Sequence, residues 1–317
     1  MRSTTDWARS KPEGRSPTDR LKVVAPWSTA CLDGEAAGRY VLSRRTPSGG
    51  YSFYRTPEWG VEEPNAPDTL AALECLRLLD LPVPEPELTG TWLRSLQDKN
   101  GGYPTLTIGW ATLRALAVLG FEPERSPTAW VAEREEALLR TGGNRDWGGA
   151  LREALHVAEL RRLDLTARPE AARDPFAGLI AEARDPLGGW ARPGPDLETT
   201  AVAVLIAGPE SLSQPDRSGT EEFFRRCEDQ VFGLRLQPDA GATGVGALWG
   251  GAELAEQLRL KPKYPAAICE SLAVLQRADG GLGARHFAIS TLRDTWRGLD
   301  AAQLLDRFQF EQLQEDE

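Results

Sequence analysis

Two carboxylates and two hydroxyls fall within five positions in the stretch 180–207, IAEARDPLGGWARPGPDLETTAVAVLIA. They are Asp196, Glu198, Thr199 and Thr200, and they stand where an apolar run begins. Two chemistries suit that grouping. Asp and Thr at a helix start accept hydrogen bonds from the free backbone N–H groups, and an acid there complements the helix dipole. Paired acids are also the material of general acid–base catalysis. Glu is a poor N-cap, so Glu198 keeps both readings. Metal ligation has little to draw on. The chain holds two histidines, His156 and His286, and four cysteines (Cys31, Cys75, Cys227, Cys269) with no CxxC spacing. The cysteines read as core residues, not as a disulfide framework or a zinc knuckle. His156 reads as a structural histidine within a helix, and His286 as a candidate for a cavity rim.

The elements that position these groups are repeats. In 92–120, WLRSLQDKNGGYPTLTIGWATLRALAVLG, the apolar residues Trp92, Leu93 and Leu96 mark an amphipathic helix. Asn100-Gly101-Gly102 stops it, because Gly adopts the left-handed conformation of a helix C-cap. A second helix runs from Trp110 to Gly120. The same grammar recurs over 43–79, 137–165, 180–207, 225–260 and 271–305. Six helix–turn–helix units follow. The second helices (DTLAALECLRLL, ATLRALAVLG, TTAVAVLIAG) are apolar nearly all round and the first helices keep a polar face, which predicts buried inner and exposed outer helices. That asymmetry favours a closed all-α ring, an α6/α6 toroid, over an open solenoid. The expected organisation is a mobile polar arm over 1–20, one toroid domain over 21–308 with a first helix within 21–46, and an acidic tail over 309–317. Trp7 is the arm residue able to dock on the body.

Length and charge narrow the functions. The 317 residues carry a formal charge of −10, so bulk electrostatics would not hold nucleic acid. No apolar run is long enough to span a bilayer and no signal-peptide pattern opens the chain, so a soluble cytoplasmic protein is expected. Ten tryptophans divide by position. Trp92, Trp147 and Trp190 read as packing between units. Trp110, Trp249 and Trp296 lie in inner helices and are expected to face a cavity.

The pattern Leu-x-x-x-Gln-x-x-x-Gly-Gly, followed by an acid-Thr step, resembles the prenyltransferase and squalene-cyclase repeat. Leu93, Gln97, Gly101-Gly102-Tyr103 and Leu272, Gln276, Gly280-Gly281 carry its first half. Asp68-Thr69, Glu198-Thr199-Thr200 and Asp294-Thr295 carry its second. The resemblance covers about residues 40–305. It implies an α6/α6 toroid whose inner helices line a deep apolar cavity for isoprenoid chains.

Three activities follow from the resemblance. Zinc-dependent prenylation would need an Asp-x-Cys and a His-Thr. Asp239 could match the first ligand, but Gly241 and Asp294 stand where Cys and His should be. Ionisation-initiated chemistry would need a DDxxD motif, which is absent. Protonation-initiated cyclisation uses Asp-x-Asp-Asp-Thr-Ala, against which this chain reads Asp196-Leu197-Glu198-Thr199-Thr200-Ala201. The resemblance then implies Glu198 as proton donor and Asp196 as its hydrogen-bonded orienter. Tyr103, Trp110, Trp190, Trp249 and Trp296 would be the aromatic wall, with His286 at the rim. No cofactor or metal is required on this reading, and magnesium would enter with a diphosphate substrate. Arg192, Arg235, Arg285, Arg293 and Arg297 lie near the loop side and could approach an anion. Proteins of this kind pair the toroid with a second helical domain, so a partner protein or domain covering the cavity is expected. The alternative is a non-catalytic toroid that binds a lipid or a partner protein.

Overall fold

The computed structural model describes residues 31–54, 62–140, 146–163, 175–191 and 194–315, with side chains as far as Arg307. Among these residues the chain is mostly helical. Twelve α-helices follow one another: α1 (Gly34–Ser43), α2 (Ala66–Leu78), α3 (Pro86–Ser95), α4 (Leu106–Leu119), α5 (Thr128–Arg140), α6 (Trp147–Arg162), α7 (Ala177–Ala183), α8 (Leu197–Ala207), α9 (Gln214–Cys227), α10 (Val245–Leu258), α11 (Pro265–Leu275) and α12 (Leu292–Glu315). Two small antiparallel hairpins, β1 (Glu228–Asp229) with β2 (Gly233–Leu234) and β3 (Leu282–Gly283) with β4 (Ser290–Thr291), occupy the turns before α10 and α12. The expected arm over 1–20, with Trp7, lies outside the described residues, as do the Gly-Gly of the third copy and Arg192. Helix α12 continues to Glu315, into the stretch expected to be a tail.

The even-numbered helices pack in succession. Helix α2 lies on α4, α4 on α6, α6 on α8, α8 on α10, α10 on α12, and α12 returns to α2. Much of their shared surface is apolar. Leu70, Leu73 and Leu76 of α2 are fully buried, and burying each such side chain is worth about 1.5–3 kcal/mol.

The turns explain the repeat. Residues 46–50, 98–102, 185–189 and 277–281 share one hydrogen-bond pattern, from the first N–H to the fifth carbonyl and from the fourth N–H back to the first carbonyl. The fourth residue is Gly49, Gly101, Gly188 or Gly280, each with φ between +87° and +100°. A Cβ on any of them would strike the backbone of the next unit. Gly49 meets Thr89, Gly101 meets Ser126, Gly188 meets Gly219, and Gly280 meets Ala36 of the first helix. The residue before each turn ties the same two units. Gln97 binds Gly101 and both backbone groups of Arg125. Arg184 binds Gly188 and Asp216. Gln276 binds Gly280 and both backbone groups of Asp33. The last unit is thus tied to the first by the bonds that tie neighbours.

The threonine of the acid-Thr step has a defined task as well. The hydroxyls of Thr69, Thr200 and Thr295 accept the N–H of Tyr51, Trp190 and Leu282, the residue that follows each Gly-Gly. Asp68 and Asp294 do not cap their helices. Asn65 caps α2, and Thr291 bonds the Asp294 N–H at the start of α12.

One cysteine expectation is corrected. Cys31 and Cys269 form a disulfide between the segment preceding α1 and helix α11, while Cys75 and Cys227 are free and buried. Their separation of 238 residues leaves no local spacing by which sequence could reveal the pair.

Candidate functional site: a cavity at four helix N-termini

The N-terminal turns of α2, α8, α10 and α12 border a cavity of about 700 Å³, open to solvent. Phe53, Leu236, Ala240, Ala242 and Ala284 form apolar parts of its wall, and Asp68, Glu198, Arg285, Arg293, Asp294 and Arg297 its charged parts.

Glu198 is the focus of the charges. Its Oε1 accepts from Arg297 at 2.8 Å and Arg293 at 3.2 Å, and the Arg152 guanidinium stands 4.0 Å away. Three guanidinium groups therefore face one carboxylate. The other oxygen lies over α10 where Gly246 leaves room, since a Cβ there would stand 2.5 Å from Oε2. One turn on, Gly250 lets the α10 backbone approach Leu197 and Glu198. Burial pulls the Glu198 carboxyl up, but Arg297, then Arg293 and Arg152, outweigh it and hold the group below its ordinary value. Glu198 is thus an ionised partner of arginines, which corrects the expectation of a protonated acid facing an apolar space.

Asp196 does not orient Glu198 as expected. It is the N-cap of α8, bonding the Thr199 N–H at 2.7 Å and the Thr199 hydroxyl at 3.0 Å. Burial raises its pKa against these bonds. Across the cavity, burial likewise raises Asp68, whose Oδ2 accepts from the Phe53 N–H and Asn65 Nδ2.

The expected aromatic wall separates into two groups. Tyr103 and Trp190 are core residues. Tyr103 packs edge-on against Trp130 at 5.3 Å. Trp190 donates to the Ile180 carbonyl, with the Arg184 guanidinium 4.1 Å from its ring centre. Trp110, Trp249 and Trp296 belong to α4, α10 and α12, and charged groups engage them. Trp110 stacks on His156 at 3.9 Å and donates to Glu159. Trp249 donates to Asp300 at 3.0 Å and lies under the Arg297 guanidinium at 4.5 Å. Trp296 has the Arg114 guanidinium 6.0 Å from its ring centre. His286 is exposed on the hairpin between β3 and β4, in tilted contact with the Phe287 ring, and does not line the cavity.

Arg114 of α4 bridges Glu74 of α2 and Glu159 of α6 at 2.6 and 2.8 Å. Glu253 and Asp300 hydrogen-bond to each other, a contact between two carboxyls that requires a proton. Paired charges and tryptophans therefore stand among the apolar side chains of these helices. His156 is 6% exposed with no partner on Nδ1. Burial, then the charges of Arg152, Arg114 and Arg293, push it to about 3, so it is neutral.

Sequence reading missed Arg114, Arg152, Glu159, Glu253 and Asp300. Arg114 and Glu253 interrupt mostly apolar helices, which was a legible signal, whereas Arg152, Glu159 and Asp300 lie in helices with several other charged residues. Nothing in the sequence separates Arg293 and Arg297 from Arg192, Arg235 and Arg285. Arg235 instead pairs with Asp229. Among the described residues, no group of three or more His, Cys, Asp or Glu side chains is placed to hold a metal ion, and no helix is long and apolar enough to cross a membrane. Compared with models of known families and with curated proteins, the chain matches none.

Proposed function

We propose that the chain is an α6/α6 toroid of the prenyltransferase and squalene-cyclase repeat type, and that its mouth binds the anionic head of a small molecule with an apolar tail, an isoprenoid diphosphate. The cyclic packing order of the even helices and the Gln276–Asp33 tie between last and first units support the toroid. The observation that carries the function is the convergence of Arg152, Arg293 and Arg297 on the single carboxylate of Glu198 at the cavity wall. Guanidinium forks match phosphoryl oxygens in geometry and charge. The apolar tail would lie along Phe53, Leu236 and Ala242, because the paired charges between the inner helices would have to be desolvated to admit it.

Acid-initiated cyclisation is the catalytic form of this reading. In the ligand-free protein Glu198 has no proton to give, so binding is the better-supported half. A covering partner or domain fits Phe287 and Ile289, which are 86% and 70% exposed beside the cavity. The Cys31–Cys269 disulfide favours an oxidising compartment over the cytoplasm expected from sequence.

The test compares farnesyl diphosphate with farnesol by calorimetry. Tight, salt-sensitive binding of the diphosphate alone is expected, weakened at least about tenfold in R293Q/R297Q, as loss of charge-assisted hydrogen bonds implies. Equal binding of both compounds, or an unaffected variant, would refute the anion site. Incubation with geranylgeranyl diphosphate, with and without magnesium, reports turnover by mass spectrometry. Binding without a cyclic product would identify a non-catalytic toroid.

A further inference from the structure

We propose that Glu198 is an acid armed by its ligand: an anion that takes over Arg152, Arg293 and Arg297 strips Glu198 of its counter-charges, and Glu198 then binds a proton from solvent and holds it at the cavity wall. This rests on the anion site proposed above.

The surroundings of Glu198 leave the arginines as its support. Oε1 receives both guanidinium hydrogen bonds, while Oε2 lies against the α10 glycine Gly246. Helix α8 offers Asp196, whose carboxylate is bonded to Thr199. Across the cavity stand Asp68 of α2 and Asp294 of α12, both acids, with Arg285 on the hairpin. An entering dianion would act twice. It competes for the same N–H groups, and its own charge repels the carboxylate. Burial, the largest influence on this carboxyl, would then act without its counterweight. The balance is simple: carboxylate plus one solvent proton gives the carboxylic acid, through a mouth that is open to water. The protein would hold a Brønsted acid beside its ligand only when the ligand's head is bound.

His156 is the rival acceptor. It lies one turn below Arg152, its Nδ1 has no partner, and Arg152, Arg114 and Arg293 repel its proton. The same anion would relieve that repulsion, so the experiment must separate the two groups.

Sulfate is the probe, because it carries no titratable proton near neutral pH. It is titrated into the full chain between pH 7 and 5, by calorimetry in two buffers of different ionisation heat. The bound-state pKa of Glu198 exceeds the free-state value, so uptake grows toward about one proton per sulfate as pH falls through the bound-state value. Affinity should rise by up to about tenfold per pH unit over the same window. E198Q should bind sulfate without uptake, and H156Q should retain uptake. Infrared difference spectra of the unsubstituted chain should show a sulfate-induced carboxylic acid band, a readout that does not depend on E198Q folding. Binding without uptake or band would overturn the proposal and leave the anion site standing. Uptake that persists in E198Q and vanishes in H156Q would overturn the assignment to Glu198. Failure of the unsubstituted chain to bind sulfate at all would remove the anion site itself.

Discussion

Replacing Glu253 with Gln should abolish a pH dependence that the unsubstituted protein carries in its interior. Glu253 is pushed up chiefly by burial, and further by the charge and hydrogen bond of Asp300. Asp300 is raised by burial too, while it accepts from Trp249 at 3.0 Å, with Glu74 adding negative charge and Arg77 positive. Gln257 and Glu256 complete the surroundings of Glu253. At neutral pH the pair therefore keeps one proton in the folded state, whereas an unfolded Glu is ionised above about 4.3. A carboxyl whose folded pKa is raised contributes most at low pH, and stability falls as pH rises from the unfolded value to the folded one. The slope is about 1.4 kcal/mol per pH unit. Between pH 5 and 7.5 the unsubstituted chain should lose of order 2–3 kcal/mol to this group, after allowance for relaxation around the pair. Gln at 253 supplies a neutral donor to Asp300 at every pH. E253Q should thus match the parent near pH 5 and exceed it by roughly that amount at pH 7.5. Urea unfolding followed by tryptophan fluorescence at both pH values measures the difference. Parallel profiles for the two proteins would show that no proton is shared.

Two further outcomes follow from the way the units are joined. Q276A removes the bonds to both backbone groups of Asp33 and to the Gly280 carbonyl, at about 0.5–1.5 kcal/mol each. Amide exchange should accelerate in α1 for Q276A and in α5 for Q97A, and unchanged exchange would refute the clamp. The Cys31–Cys269 bond closes a loop of 238 residues, so C31S/C269S should lose up to about 5 kcal/mol on the chain-entropy account. Thiol titration of the unfolded, unreduced chain should find the two thiols of Cys75 and Cys227, and four would refute the bond.

What was legible in the sequence was whatever repeats. Gln97 and Gln276 stand at the same place in their units because each clamps the next helix start. Glycine follows four residues later because a side chain would strike that helix's backbone. Such constraints recur with every unit and rise above the background of a single chain. The disulfide and the interior charges do not recur. Arg114 pairs with residues 40 and 45 positions away, and Glu198 with arginines 95 and 99 positions away. Those separations are set by which inner helices meet, and no local pattern encodes them. The charge of Glu198 escapes the sequence for the same reason. Its place at a helix start is legible, and a carboxyl there could be neutral or ionised according to what stands opposite. Arg297 and Arg293 lie on α12, so only packing α12 beside α10 and α8 could decide the charge. The feature that distinguishes a cap from a site is thus the one that a repeat pattern cannot carry: a residue type that appears in one unit alone, aimed at another.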